Sequence, residues 1–94
     1  MTLGEIIAGL AALDDSMTIC AEKSPEWTRD SESELLPAAQ VPADCRFPYF
    51  SEVSVAKDVL RAWSFARSGS VPSHADACET IIHYAENDAY LLPR

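Results

Sequence analysis

The sequence predicts an α+β fold, a small antiparallel sheet with helices packed on one of its faces, in the order α-β-β-α-α with a short terminal strand or docked tail. Three observations carry this. Apolar residues recur at helical spacing near the start of the chain and again through its second half; a short stretch between them alternates with period two; and the polar, proline-bearing segments are loop-length. Ninety-four residues at 48% hydrophobic content suit a single domain over residues 1–94, large enough for one core.

Thr2 and Glu5 have the spacing of a capping box, and Leu3, Ile6, Ile7 and Leu10 follow at i, i+3, i+4 and i+7. They predict a helix over 3–12, closed by the turn residues Asp14, Asp15 and Ser16. Met17 to Ala21 alternates and carries β-branched Thr18 and Ile19, so it reads as a strand with Met17, Ile19 and Ala21 facing the core. A second strand over about 32–36 makes a hairpin whose connection is long and acidic. Pro37, Pro42 and Pro48 make the next stretch a loop. Phe50, Val53, Ala56, Val59, Leu60 and Trp63 then form one stripe, and Ser68-Gly69 supplies a stop, which predicts a helix over 50–67 with Trp63 in the core. Ser73 and Asp76 cap a third helix through Cys78, Ile81, Ile82 and Ala85 to about Asn87, and Tyr90-Leu91-Leu92 forms the terminal strand or tail.

Cys20, Cys45 and Cys78 are an odd count without a CxxC pair, and no signal-peptide pattern opens the chain. Free thiols and the cytoplasm of a bacterial host are the resulting expectations. No apolar run approaches the roughly 20 residues that span a bilayer, so no membrane association is expected.

The charge distribution is the informative feature for function. Nine carboxylates stand against Lys23 and Arg29 in residues 1–45, a formal −7, while the remainder of the chain contributes −1 to the total of −8. A one-sided negative field repels nucleic acid and attracts basic proteins. In an extended stretch Asp30, Glu32 and Glu34 point to one side at roughly 6.6–6.8 Å intervals, a sparse imitation of a phosphate edge with its charge per about 1.7 Å. Asp14, Asp15, Glu22 and Glu26 extend the row, and Trp27 amid these acids reads either as an interface anchor or as a ring folded inward onto the sheet.

Other chemistries fit less well. His74, Cys78 and His83 lie within ten residues, but on one helix His83 falls about 180° from His74, so one ion cannot take all three. Residues 30–34 open like an EF-hand loop, yet Leu35 occupies its glycine position and Val41 its bidentate glutamate position. His83, flanked by Glu79 and Glu86, lacks a placed nucleophile, and no GxSxG, HExxH, P-loop or GxGxxG occurs. No cofactor and no catalytic residue are expected.

The segments Tyr49 to Trp63 and Tyr84 to Ala89 resemble parts of a family of short bacterial and phage proteins, over about half the chain, and this resemblance implies no activity. As a class, a small, acidic, motif-free chain is similar to anti-CRISPR inhibitors, several of which mimic DNA. The expected function is therefore non-enzymatic: binding of a basic protein surface, with no direct nucleic-acid binding, by an inhibitor of a Cas effector complex or, alternatively, by an immunity protein that neutralises a bacterial toxin. The residues expected to make the contact are Asp14, Asp15, Glu22, Glu26, Trp27, Asp30, Glu32 and Glu34.

Overall fold

The computed structural model describes residues 1–38 and 45–90. Their architecture is α+β, with three helices against a three-stranded antiparallel sheet. Helix α1 (Leu3–Ala8) opens with the capping box: Thr2 Oγ1 accepts from the Glu5 amide at 3.2 Å, and the Glu5 carboxylate accepts from the Thr2 amide at 2.9 Å. The bond from the Thr2 amide, and after it the Thr2 hydroxyl, holds the Glu5 carboxyl below its ordinary pKa. At Gly9 the predicted longer helix tightens into a 3-10 turn over Leu10–Ala12, which still buries Leu10 beside Leu3, Ile6 and Ile7. The first-turn amides of α1 do not go begging. Leu3 donates to the Ser31 carbonyl at 2.9 Å and Gly4 to the Arg29 carbonyl at 2.8 Å. This approach needs a glycine, because a Cβ on residue 4 would stand 3.0 Å from the Arg29 oxygen.

Strand β1 (Thr18–Ala21) lies between β2 (Ser33–Leu36) and β3 (Tyr49–Glu52). Ile19 and Ala21 face the helices and are fully buried, as the alternation predicts, and Met17 packs against the same core. The third strand replaces the start of the predicted 50–67 helix. Tyr49 and Phe50 follow Pro48 and favour extended backbone, so the helix begins only at Val53. Phe50 fills a core position from the strand instead, which is why it fitted the helical stripe. Helix α2 (Val53–Ala66) is seated by amide bonds from Val53 to the Met17 carbonyl at 3.0 Å and from Ser54 to the Asp15 carbonyl at 3.3 Å.

After α2 the chain reverses through Ser68 (φ 57°) and Gly69 (φ 84°), whose amide returns to the Ser64 carbonyl at 2.8 Å. Helix α3 (His74–Asn87) is capped by Ser73, as read from the sequence, and buries Cys78 and Ile81, with Ile82 and Ala85 packed at the core's edge. Leu91 and Leu92 of the predicted terminal strand lie outside the described residues.

Trp63 departs from its predicted core position. A 14-residue helix is about 21 Å long, whereas a four-residue strand covers roughly 13 Å, so the last turns of α2 overrun the sheet. Trp63 is only half-buried, with the Arg67 guanidinium 4.3 Å from its ring. Trp63→Ala is accordingly expected to cost about 1 kcal/mol, an ordinary point-mutant loss, when read from the shift in urea midpoint.

The free-thiol expectation also gives way for two of the three cysteines. Cys20 and Cys45 form a disulfide with their Cα atoms 6.3 Å apart, within the usual span for such a bond. Cys20 faces away from the helices, on the side shared with its cross-strand partners Glu34 and Tyr49, and the disulfide fastens residues 45–48 across that side. The Pro48 carbonyl accepts from the Ala21 amide at 2.9 Å in the same region. Cys78 is free and buried.

Candidate functional site

The β1–β2 connection is folded around Trp27. Its ring is only 9% exposed, meets Phe50 edge-on with centroids 5.0 Å apart, and donates its indole N–H to the Ala21 carbonyl at 3.0 Å. Trp27 is therefore a core residue: of the two readings open to it the inward one holds, and it leaves the set of expected contact residues. An aromatic among acids satisfies its one donor on the strand end beneath it and buries the rest of its surface. Lys23 lies over the outer part of the ring at 4.3 Å. Above this plug the connection closes through the Glu22 amide to the Glu32 carbonyl at 2.8 Å and the Ser31 amide to the Thr28 carbonyl at 3.0 Å. Together with the α1 amides on Arg29 and Ser31, these bonds give the connection a fixed shape.

That shape gathers half of the expected residues. Glu22, Glu26, Asp30 and Glu32 line one open groove of about 250 Å³, with the hydroxyls of Ser24, Thr28 and Ser31 between them. All four carboxylate residues are exposed. Glu32 also lies 3.7 Å from the N-terminal amine, an exposed pair worth little in water. Alternation along the strand holds from Glu32 to Glu34 only. Asp30 belongs to the turn closed by Thr28 and Ser31, so the evenly spaced row of three carboxylates does not form.

The other expected residues are placed elsewhere. Glu34 is engaged by Arg46, whose amide donates to Oε1 at 2.7 Å while its Nε stands 3.6 Å from Oε2. Asp14 and Asp15 precede β1 and Glu22 follows it, so roughly 13 Å of strand separates them from the groove. Asp15 takes the Lys57 ammonium at 2.5 Å, and Lys57 donates also to the Leu13 carbonyl at 2.7 Å. Hydrogen bonds from the Ser16 hydroxyl and amide hold the Asp14 carboxyl below its ordinary pKa. The single negative face expected from the sequence is thus a four-carboxylate groove with a smaller, partly neutralised acidic turn at the far end of β1.

His74 and Cys78 do meet, with Nε2 3.5 Å from Sγ, whereas His83 stands apart beside Asn87. The pair is a packing contact and not an activated nucleophile. His74 Nε2 lies 2.8 Å from the Gly4 carbonyl, a geometry that requires its proton, and burial pushes the Cys78 thiol upward against a smaller opposing effect of Arg29. Among the described residues no three His, Cys, Asp or Glu side chains converge as a metal site, and no helix is long and apolar enough to cross a membrane. Compared with family models, curated proteins and solved structures, the chain matches none.

Proposed function

We propose that the chain is a non-enzymatic binding protein that presents the groove of Glu22, Glu26, Asp30 and Glu32 to a basic surface of a nucleic-acid-handling protein. One observation carries this reading: four carboxylates, no two of them adjacent in sequence, are brought around a single concavity by a loop pinned at both α1 and the sheet. A loop that merely dissolved its charge in water would not require a buried tryptophan and two helix amides to fix its course. A cationic side chain entering the groove meets several acceptors at once, and charge attraction of this kind sets the encounter rate and the salt dependence. Inhibition of a Cas effector complex, by occupying a groove built for nucleic acid, is the role this surface supports.

The Cys20–Cys45 disulfide favours a second reading. Disulfides persist in oxidising compartments, where a toxin immunity protein can act and a Cas inhibitor does not. The same groove would then cover the cationic active site of the toxin.

The two readings share one test. The variant carrying Glu22→Gln, Glu26→Gln, Asp30→Asn and Glu32→Gln should keep its circular dichroism spectrum, since exposed substitutions shift stability by only about ±0.5 kcal/mol each. It should lose binding to a purified Cas effector complex or to a purified cationic nuclease toxin. Wild-type affinity should fall steeply with salt, because exposed charges are screened over about 8 Å at physiological ionic strength. Affinity that ignores both salt and the four substitutions rejects the groove as the interface, and the probe that responds identifies which reading holds.

A further inference from the structure

At the β3 edge of the sheet, β3 and the last turns of α3 enclose a second cavity of about 230 Å³. Its walls include Tyr49, Phe50, Ser51, Val55, Tyr84 and Asp88. Tyr90 adds a further ring: its centroid is 5.2 Å from that of Tyr84, the planes tilted by 37°. Tyr49 and Tyr90 are 48% and 50% exposed, much of their aromatic surface facing water. Asp88 lines the cavity, and the charge of Glu52 acts on the Tyr49 hydroxyl, whose pKa is raised first by burial and then by that carboxylate.

Three aromatic rings elsewhere in the molecule lie under its own cations. Lys23 lies over Trp27 at 4.3 Å, Arg46 over Phe47 at 4.9 Å and Arg67 over Trp63 at 4.3 Å. Lys57 and Arg61 are held by Asp15 and Asp58. Among the described residues no cation is placed over Tyr49, Tyr84 or Tyr90, and none pairs with Asp88 or Glu52. Among the described residues the cavity combines π-faces and negative charge without the positive partner that Trp27, Phe47 and Trp63 have.

We infer that this cleft binds a guanidinium group, the head of an arginine side chain presented by a partner protein. A guanidinium is planar and weakly hydrated, so it stacks on a tyrosine face while its N–H edge pairs with a carboxylate such as Asp88. An ammonium offers a point charge and no flat face. Drug-sized ligands fill clefts of about 300–1,000 Å³, so this smaller space fits a single side-chain head. The site shares no lining residue with the acidic groove and does not depend on the role given to that groove.

The test is an NMR titration of the whole chain with N-acetyl-arginine methylamide, compared with the citrulline and lysine analogues. Citrulline keeps the shape of arginine and removes its charge. The arginine probe should shift the ring protons of Tyr49, Tyr84 and Tyr90, and citrulline should leave them in place. Asp88→Asn should weaken arginine binding about tenfold, the loss that follows from removing a charged hydrogen-bond acceptor. Asn tolerates the left-handed backbone that Asp88 adopts at φ 51°, so this variant retains the fold. Glu26→Gln, in the acidic groove, should change nothing. Citrulline shifts equal to those of arginine, a lysine analogue that binds as tightly, or tyrosines unmoved by all three probes would each overturn the assignment.

Discussion

Trp27→Ala is expected to lower the stability of the domain by about 3–5 kcal/mol, the usual cost of deleting a large buried aromatic. Trp27 is 9% exposed, stacks edge-on against Phe50 and bonds the Ala21 carbonyl, so truncation leaves both a cavity and an unpaired acceptor. Small domains have on the order of 5–15 kcal/mol in all, which makes this loss large enough to populate unfolded chain at ambient temperature. Urea denaturation followed by circular dichroism measures it. Trp27→Phe is the informative companion. It keeps most of the buried ring and removes the indole N–H, and should cost about 1–3 kcal/mol, the penalty of one buried unpaired carbonyl. Because Trp27 shapes the acidic groove from below, Trp27→Phe should also preserve partner binding. Binding lost in Trp27→Phe while the fold is retained would mean that the indole itself makes the contact, contrary to its burial.

Breaking the Cys20–Cys45 disulfide is expected to cost about 3.5 kcal/mol, the chain-entropy value for a closed loop of this size. The two cysteines are 25 residues apart, and the bond ties residues 45–48 across the outer side of the sheet, beside Glu34 and Arg46. Adding a thiol reductant, or making the Cys20→Ala, Cys45→Ala pair, should lower the urea midpoint by the same amount. Thiol titration of denatured, unreduced protein should find one reactive group, from Cys78. Three reactive groups, together with a midpoint insensitive to reductant, would show that the bond does not form in solution.

The fold was largely legible in the sequence because its strongest local signals agree with the tertiary packing. The Thr2–Glu5 box, the Leu3 to Leu10 stripe, the Met17 to Ala21 alternation and the Ser73 cap all appear where expected. β3 was hidden because Phe50 happens to fall on the helical period of α2, and periodicity cannot distinguish a core side chain supplied by a strand from one supplied by the helix after it. Trp63 was misplaced for a related reason. A stripe shows which way a residue points, but not where the opposing layer ends.

The candidate site was half legible. Sequence spacing identified the acid-rich connection, and Glu22, Glu26, Asp30 and Glu32 do converge. It gave no sign that Arg46 would take Glu34 or that Lys57 would take Asp15, since those partners lie 12 and 42 residues away along the chain. An odd cysteine count concealed a pair for the same reason, because pairing is a property of distance in the folded chain. The cleft at Tyr49, Tyr84 and Asp88 joins segments more than thirty residues apart. The one available hint was that Tyr84 and Tyr90 each stand two residues from a carboxylate, Glu86 and Asp88.

The reversal at Ser68 and Gly69 has a practical consequence for whoever handles this protein. A tag fused ahead of Met1 would crowd the acidic groove, since the Met1 amine adjoins Glu32. Neither cavity uses any side chain of the reversal, and a Cβ built on Gly69 meets no atom within 4 Å. Exposed tips of this sort accept insertions readily. A fluorophore or epitope spliced there would report on both surfaces without obstructing either.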